Sequence, residues 1–186
     1  NVTDHIGLLN SFGFGTADQL VSAAILHFFN SLKILNIGNF SVDVNTNIPR
    51  QVGMSGSSAI VISTIRSLYS YYGIKRRLPL YIAKMAMESE RFLGIACGPQ
   101  DRIVQSLGVP CFMDFRERNW NVDQLDVQGF IDRSDDMEIF VSYPLYYQKR
   151  TALQSEIQRT IEPPESIAKS AIYLARCIKD RCYSDA

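Results

Sequence analysis

The stretch Asn45-Thr-Asn-Ile-Pro-Arg-Gln-Val-Gly-Met-Ser-Gly-Ser-Ser-Ala59 leaves a chain few backbone solutions. Before its end, Phe40, Val42 and Val44 alternate with polar residues, the pattern of a half-buried strand. After it, Ala59 to Tyr72 is long and apolar enough for a helix. The order is therefore strand, glycine-containing loop, helix. Gly53 and Gly56 permit backbone angles that a side chain opposes, and from position 55 to 58 no side chain exceeds serine. The first amides of a helix lack intrahelical partners, and the aligned peptide dipoles favour an anion there. Ser57 and Ser58 add hydroxyl donors, or a hard oxygen ligand for magnesium. Two readings meet these residues: a phosphate cradle, or a flexible turn closed by a serine cap. The loop is neither a Walker A sequence, which needs a Lys before the Ser, nor the dinucleotide Gly-x-Gly-x-x-Gly. Without that Lys, phosphate charge falls to the helix terminus, a metal ion and Arg50.

Composition excludes more than it selects. A chain of 186 residues can bury a real core. Lys plus Arg and Asp plus Glu both number 19, so no global charge points to nucleic acid or an anionic membrane. The best apolar run, Leu20 to Phe29, is interrupted by Ser22 and His27 and falls short of a membrane span. The first residues lack a signal peptide's basic start, and a reducing cytoplasm is the default expectation. Four cysteines without Cys-x-x-Cys spacing and two histidines do not make a zinc cluster.

Periodicity predicts a helix from about Ala17 to Leu35, in which His27 reads as a core or boundary residue rather than a catalyst. Gly73 to Arg77 is a basic turn. A helix from Pro79 to about Phe92 uses Pro at its first position. Glu88 and Glu90 near its end oppose the dipole, a conflict expected where a metal or a cation holds one of them. Gln100 to Ser106 reads as a short helix with Asp101 in its first turn. Strands are expected at Val109–Phe115 and Glu138–Tyr143, an exposed polar stretch between them at Asn119–Asp136, and a helix from Pro163 to about Arg181 with Ile167, Ala171, Leu174 and Ile178 at helical spacing.

Ile48-Pro-Arg-Gln-Val-Gly-Met-Ser-Gly-Ser-Ser-Ala59 resembles the central phosphate-binding motif of the GHMP small-molecule kinases, broadly Pro, three residues, Gly-Leu-Gly-Ser-Ser-Ala. The likeness is greatest to the plant-type glucuronokinase branch, whose version carries Thr-Asn-Ile-Pro-Arg-Gln and Ser-Gly-Ser-Ser-Ala-Ile-Val. A second block agrees: Leu93-Gly-Ile-Ala-Cys-Gly-Pro-Gln-Asp-Arg102, then Met113-Asp-Phe115, is similar to the family's segment carrying the active-site aspartate. The resemblance runs from about Leu8 to Phe115. It implies an α+β fold: a two-layer mixed sheet with helices on one face, over residues 1–145, followed by a helical segment, 146–186, that could open a second domain.

The resemblance also implies roles. Pro49, Gly53, Met54, Ser55, Gly56, Ser57, Ser58 and Ala59 would hold the phosphates of ATP. Ser58 (or Ser57) and Glu90, with Glu88 as the near alternative, would hold Mg2+. Asp101 would orient or deprotonate the attacking hydroxyl, with Arg102 paired to it or contacting a sugar carboxylate; read without the family, Asp101 is a helix cap and Arg102 a surface ion pair. Asn45 and Asn47 either position substrate or shape the turn. The implied activity is transfer of the γ-phosphate of ATP to the anomeric hydroxyl of a uronic acid or related hexose, with no nucleic-acid or membrane partner. The alternative is a non-catalytic nucleotide- or sugar-binding relative. The family's opening strand has no match before Leu8, and its late glycine-rich motif none after Gly129. The expectation is that residues 1–186 alone turn over slowly.

Overall fold

The computed structural model describes residues 17–35, 37–49, 52–75, 78–116, 120–126, 129, 140, 169 and 171–178. The expectations for Arg50, for Arg76 and Arg77 of the basic turn, for the Glu138–Tyr143 strand apart from Phe140, and for the helix start at Pro163 lie outside them. The chain forms two compact units, Asn1–Leu107 and Gly108–Ala186. The first holds helices α1 (Ala17–Leu32), α2 (Gly56–Tyr71), α3 (Pro79–Phe92) and α4 (Gln100–Leu107). The second holds strands β1 (Cys111–Asp114) and β2 (Asn121–Gln124).

The core of the first unit follows from helical spacing. Leu20, Ala24 and Phe28 recur one turn apart and bury the same face of α1. They meet Val61, Ile65 and Leu68 of α2 and Ile82 and Ala86 of α3. Phe28 sits edge-on to Tyr69 with ring centroids 4.9 Å apart, an arrangement the ring quadrupoles favour. α1 packs on both α2 and α3, and α4 lies against α2 and α3.

Helix ends are set by backbone chemistry. α1 stops at Leu32, short of the Leu35 that periodicity implies, because Lys33 turns left-handed (φ 55°) and Ile34 N–H donates back to Phe29 O at 3.1 Å. That six-to-one bond closes a Schellman motif and leaves Leu35 94% exposed. α3 ends the same way: Gly94 takes φ 73° and Ile95 N–H reaches Glu90 O at 3.1 Å. α3 begins as expected, with Pro79 in its first turn. His27 is the boundary histidine the sequence suggests, edge-on to Phe92 at 5.8 Å. Burial lowers its pKa below the usual histidine value, against the opposing effect of Glu88.

The chain is α+β, with a smaller sheet than the sequence suggests. β1 and β2 pair antiparallel, Cys111 opposite Gln124 and Asp114 opposite Asn121. This two-stranded ladder is the sheet among the described residues; a mixed sheet is not seen there, nor a strand at Phe40–Asn45. Phe40 packs on Phe29, Tyr71 and Tyr72, while Val42 and Val44 are exposed. The alternation thus marks an extended segment anchored by one ring, with no partner strand among the described residues. β2 falls in the stretch read as polar and exposed. Residues 171–178 are helical as expected, yet Ala175 and Ile178 are the buried side chains while Leu174 is exposed.

Candidate active site

The loop before α2 departs from the sequence reading in one respect. Gly53 is left-handed (φ 82°), as its position in the turn requires, but the second left-handed residue is Ser55 (φ 55°, ψ 34°), not Gly56. Gly56 begins the helix, and a Cβ added there would meet only Ile48 Cγ2 at an ordinary 3.6 Å. A non-glycine residue in this region is disfavoured by contact between Cβ and the following carbonyl, so something must hold Ser55 in place.

What holds it is its carbonyl. Ser55 O accepts from Ala59 N–H at 3.2 Å, from the Ser58 hydroxyl at 2.9 Å and from Gln105 Nε2 at 3.1 Å. The first two donors lie in α2 itself; the third crosses from α4. Ser55 occupies the N-cap position of α2, but its side chain makes no capping hydrogen bond. The serine-cap reading of the loop therefore does not describe this end of the helix. Ser58 is fully buried, whereas Ser57 and Ala59 are half-buried and Met54 is exposed beside Gly53. Pro49, at the loop's N-terminal side in the chain, is half-buried.

α4 presents Asp101 and Arg102 in opposite surroundings. The Asp101 side chain is 47% exposed in the first turn of α4, where the helix dipole favours a carboxylate. Arg102 is 3% exposed. Its Nε donates to Glu90 Oε2 at 2.6 Å, its Nη2 lies 2.5 Å from the same oxygen, and its Nη1 donates to Gly98 O at 3.1 Å. Nη1 is also 3.6 Å from Asp101 Oδ2. Arg102 is thus neither a surface ion pair nor a group reaching outward to a sugar. It is a buried brace between the end of α3, the turn at Gly98 and the base of Asp101. The cation required by the acid near the end of α3 is this guanidinium, and the acid it holds is Glu90, fully buried, rather than the exposed Glu88.

Two of the candidate oxygens are of the donor type magnesium accepts. Ser58 Oγ gives its proton to Ser55 O and keeps its lone pairs. Glu90 Oε1 is buried with no hydrogen-bond partner among the described residues, so Glu90 offers one oxygen while Arg102 occupies the other. Magnesium keeps several waters and takes few protein ligands. No group of three or more His, Cys, Asp or Glu side chains suited to a metal occurs among the described residues. No helix of those residues is long and apolar enough to cross a membrane.

The sequence reading missed Gln105. It stands four residues after Asp101, hence on the same face of α4, and that spacing was the available signal. An amide side chain one turn beyond a candidate acid is common enough that only the contact to Ser55 gives it meaning.

With this geometry in place, comparison with known proteins is direct. Residues 19–109 match the family described as GHMP kinases N terminal domain. Glucuronokinase 1 of Arabidopsis thaliana is 34% identical over 122 residues, covering 62% of this chain and 34% of that protein. Probable glucuronokinase 2 of the same plant is 39% identical over 71 residues, 38% of this chain and 19% of that protein. A galactokinase of Thermotoga maritima is 26% identical over 130 residues, 65% of this chain and 36% of that protein. The chain matches about a third or less of the length of the first two of these curated relatives. No solved structure matches it.

Proposed function

We propose that this chain carries the phosphate-binding and hydroxyl-activating part of an ATP-dependent sugar kinase. Its substrate class is a uronic acid phosphorylated at the anomeric hydroxyl, as the similarity to proteins named glucuronokinase favours. The single observation that supports this most is the Gln105–Ser55 hydrogen bond. It ties the loop of Gly53 to Ser58 to the helix bearing Asp101, so cradle and acid belong to one compact unit.

In this reading the open amides at the start of α2 bind the phosphates, with the helix dipole adding to them. Asp101 accepts a hydrogen bond, or the proton, from the sugar hydroxyl and holds that oxygen in line with the transferred phosphorus. Arg102 positions Asp101 from below and does not touch the sugar. Ser58 Oγ and Glu90 Oε1 are the oxygens that would hold magnesium, which supplies charge neutralisation on the phosphates. Residues 1–145 would form this phosphate-binding domain and 146–186 a further helical segment.

The test is ADP release from magnesium-ATP with glucuronate, galacturonate and galactose, beside direct measurement of magnesium-ATP binding. Turnover on glucuronate that falls about a hundredfold or more in Asp101→Asn is the expected result. Binding with no turnover on any sugar would favour a non-catalytic nucleotide-binding relative. Absence of magnesium-ATP binding would overturn the reading altogether.

A further inference from the structure

We infer that Gln105 is the positioning residue of the phosphate loop: by holding the Ser55 carbonyl from α4, it aims the Gly56 amide at the anion. The inference rests on the kinase reading above and concerns one peptide plane within it. In a trans peptide the C=O and the N–H of the next residue point in opposite directions. The Ser55 carbonyl is directed at Ala59 N, Ser58 Oγ and Gln105 Nε2. The Gly56 N–H must then face away from those donors, to the open side of the loop.

Three observations favour a dedicated role over incidental packing. First, Ser55 is left-handed without being glycine, so the loop does not hold this conformation by its own preference. The donors from Ala59 and Ser58 are local to α2; Gln105 is the one donor of the three that comes from another element. Second, no side-chain cap covers the start of α2. The loop is restrained at a carbonyl, which leaves its amide donors free for a ligand. Third, Gln105 Oε1 is buried with no partner among the described residues. Half of the amide is thus desolvated without return, a cost expected where the other half does something specific. A neutral amide also suits the place: it donates without setting a carboxylate beside a phosphate, as Glu would.

A turn of the 55–56 peptide would replace the Gly56 N–H by the Ser55 carbonyl oxygen, which repels a phosphate. Loss of Gln105 should therefore weaken phosphate binding through orientation, with Asp101, Arg102 and Glu90 untouched. The experiment compares wild type, Gln105→Met, which keeps the length and loses the donor, and Ser106→Ala as a neighbouring control on α4. Magnesium-ATP affinity is measured by calorimetry. The resonance position of the Gly56 amide and the exchange of the Ala59 amide are measured by NMR without ligand, and the unfolding midpoint in urea for each protein. The expected result is affinity roughly tenfold weaker in Gln105→Met, consistent with loss of one oriented hydrogen bond. The Gly56 resonance should shift and the Ala59 amide, which donates to Ser55 O, should exchange faster, while the amides of α3 and the behaviour of Ser106→Ala stay as in wild type. A general loss of stability would move α3 as well. If Gln105→Met does not fold, Gln105→Asn, one methylene too short to reach Ser55, carries the same comparison. Wild-type affinity and an unmoved Gly56 amide in the variant would overturn the inference and leave the kinase reading standing. Failure of the wild type to bind magnesium-ATP would overturn both.

Discussion

Taking one charge away from the Glu90–Arg102 pair leaves the other buried and alone, because both side chains are almost fully removed from solvent. Breaking such a pair costs about 3–5 kcal/mol, whereas a well-packed apolar replacement of both partners is close to neutral. Glu90→Ala and Arg102→Ala are each expected to lower stability in urea by about that amount, and Glu90→Leu/Arg102→Met to recover most of it. Asp114, by contrast, is held to a pKa of about 2 by hydrogen bonds from Arg116, yet the Arg116 side chain is 78% exposed, so water screens the pair and its loss should cost much less. His27 gives a pH signature. Its folded pKa lies below the ordinary value near 6.5, so the unfolded chain binds the proton more readily. Stability from this group is present above that ordinary value and is lost as pH falls through the folded pKa. The unfolding midpoint should therefore drop between pH 7 and pH 5, less steeply in His27→Leu. At this scale the sequence identified the candidate acids but not their surroundings. An Arg beside an Asp reads as a local pair, and only the fold brings Glu90 to within 2.6 Å of it.

Helix positions follow from the sequence more closely than helix ends or strand pairs do. Pro79 and the apolar period set α3 to the residue at its start, and Gln100 opens α4 as expected. The end of α1 was not legible, because nothing in Lys33 announces a left-handed residue; Asn or Gly there would have done so. Lys33→Gly should remove that strain and raise stability by about 1 kcal/mol, while Lys33→Val should lower it by at least as much. Equilibrium unfolding separates the two. β2 was hidden for a different reason. Asn121-Val-Asp-Gln124 has one apolar residue, so no alternation marks it, and it becomes a strand through its pairing with β1. The segment at Phe40–Val44 is the converse: a strand pattern without a partner strand among the described residues. Sheet is a property of pairs, and a single segment cannot declare its mate.

Across the whole chain, the first unit holds both the shared helical core and the candidate site. Phe28 meets Phe29, Tyr69 and Tyr72 edge-on or tilted, and its replacement by Ala should cost about 3–5 kcal/mol. Hydrogen exchange should be slowest at the amides of Phe28, Ile65 and Ile82, where burial is complete or nearly so, and markedly faster along Gly38 to Asn47. Equal exchange across these segments would show that the helical core is not the stable body described. The helical core and the loop-to-helix order of the site were legible because both rest on local spacing. The convergence on Ser55 O was not, because it joins residues fifty apart in the chain.

The Glu90–Arg102 contact carries a consequence for descent. A gene that drifts at one of these codons alone passes through a protein with a stranded charge at the base of Asp101, and selection removes it. The two codons should therefore be inherited as a unit among functional relatives, exchanged together or not at all. A working homologue with an apolar residue at one position and the original charge at the other would show that the rest of the protein has learned to shelter a lone ion.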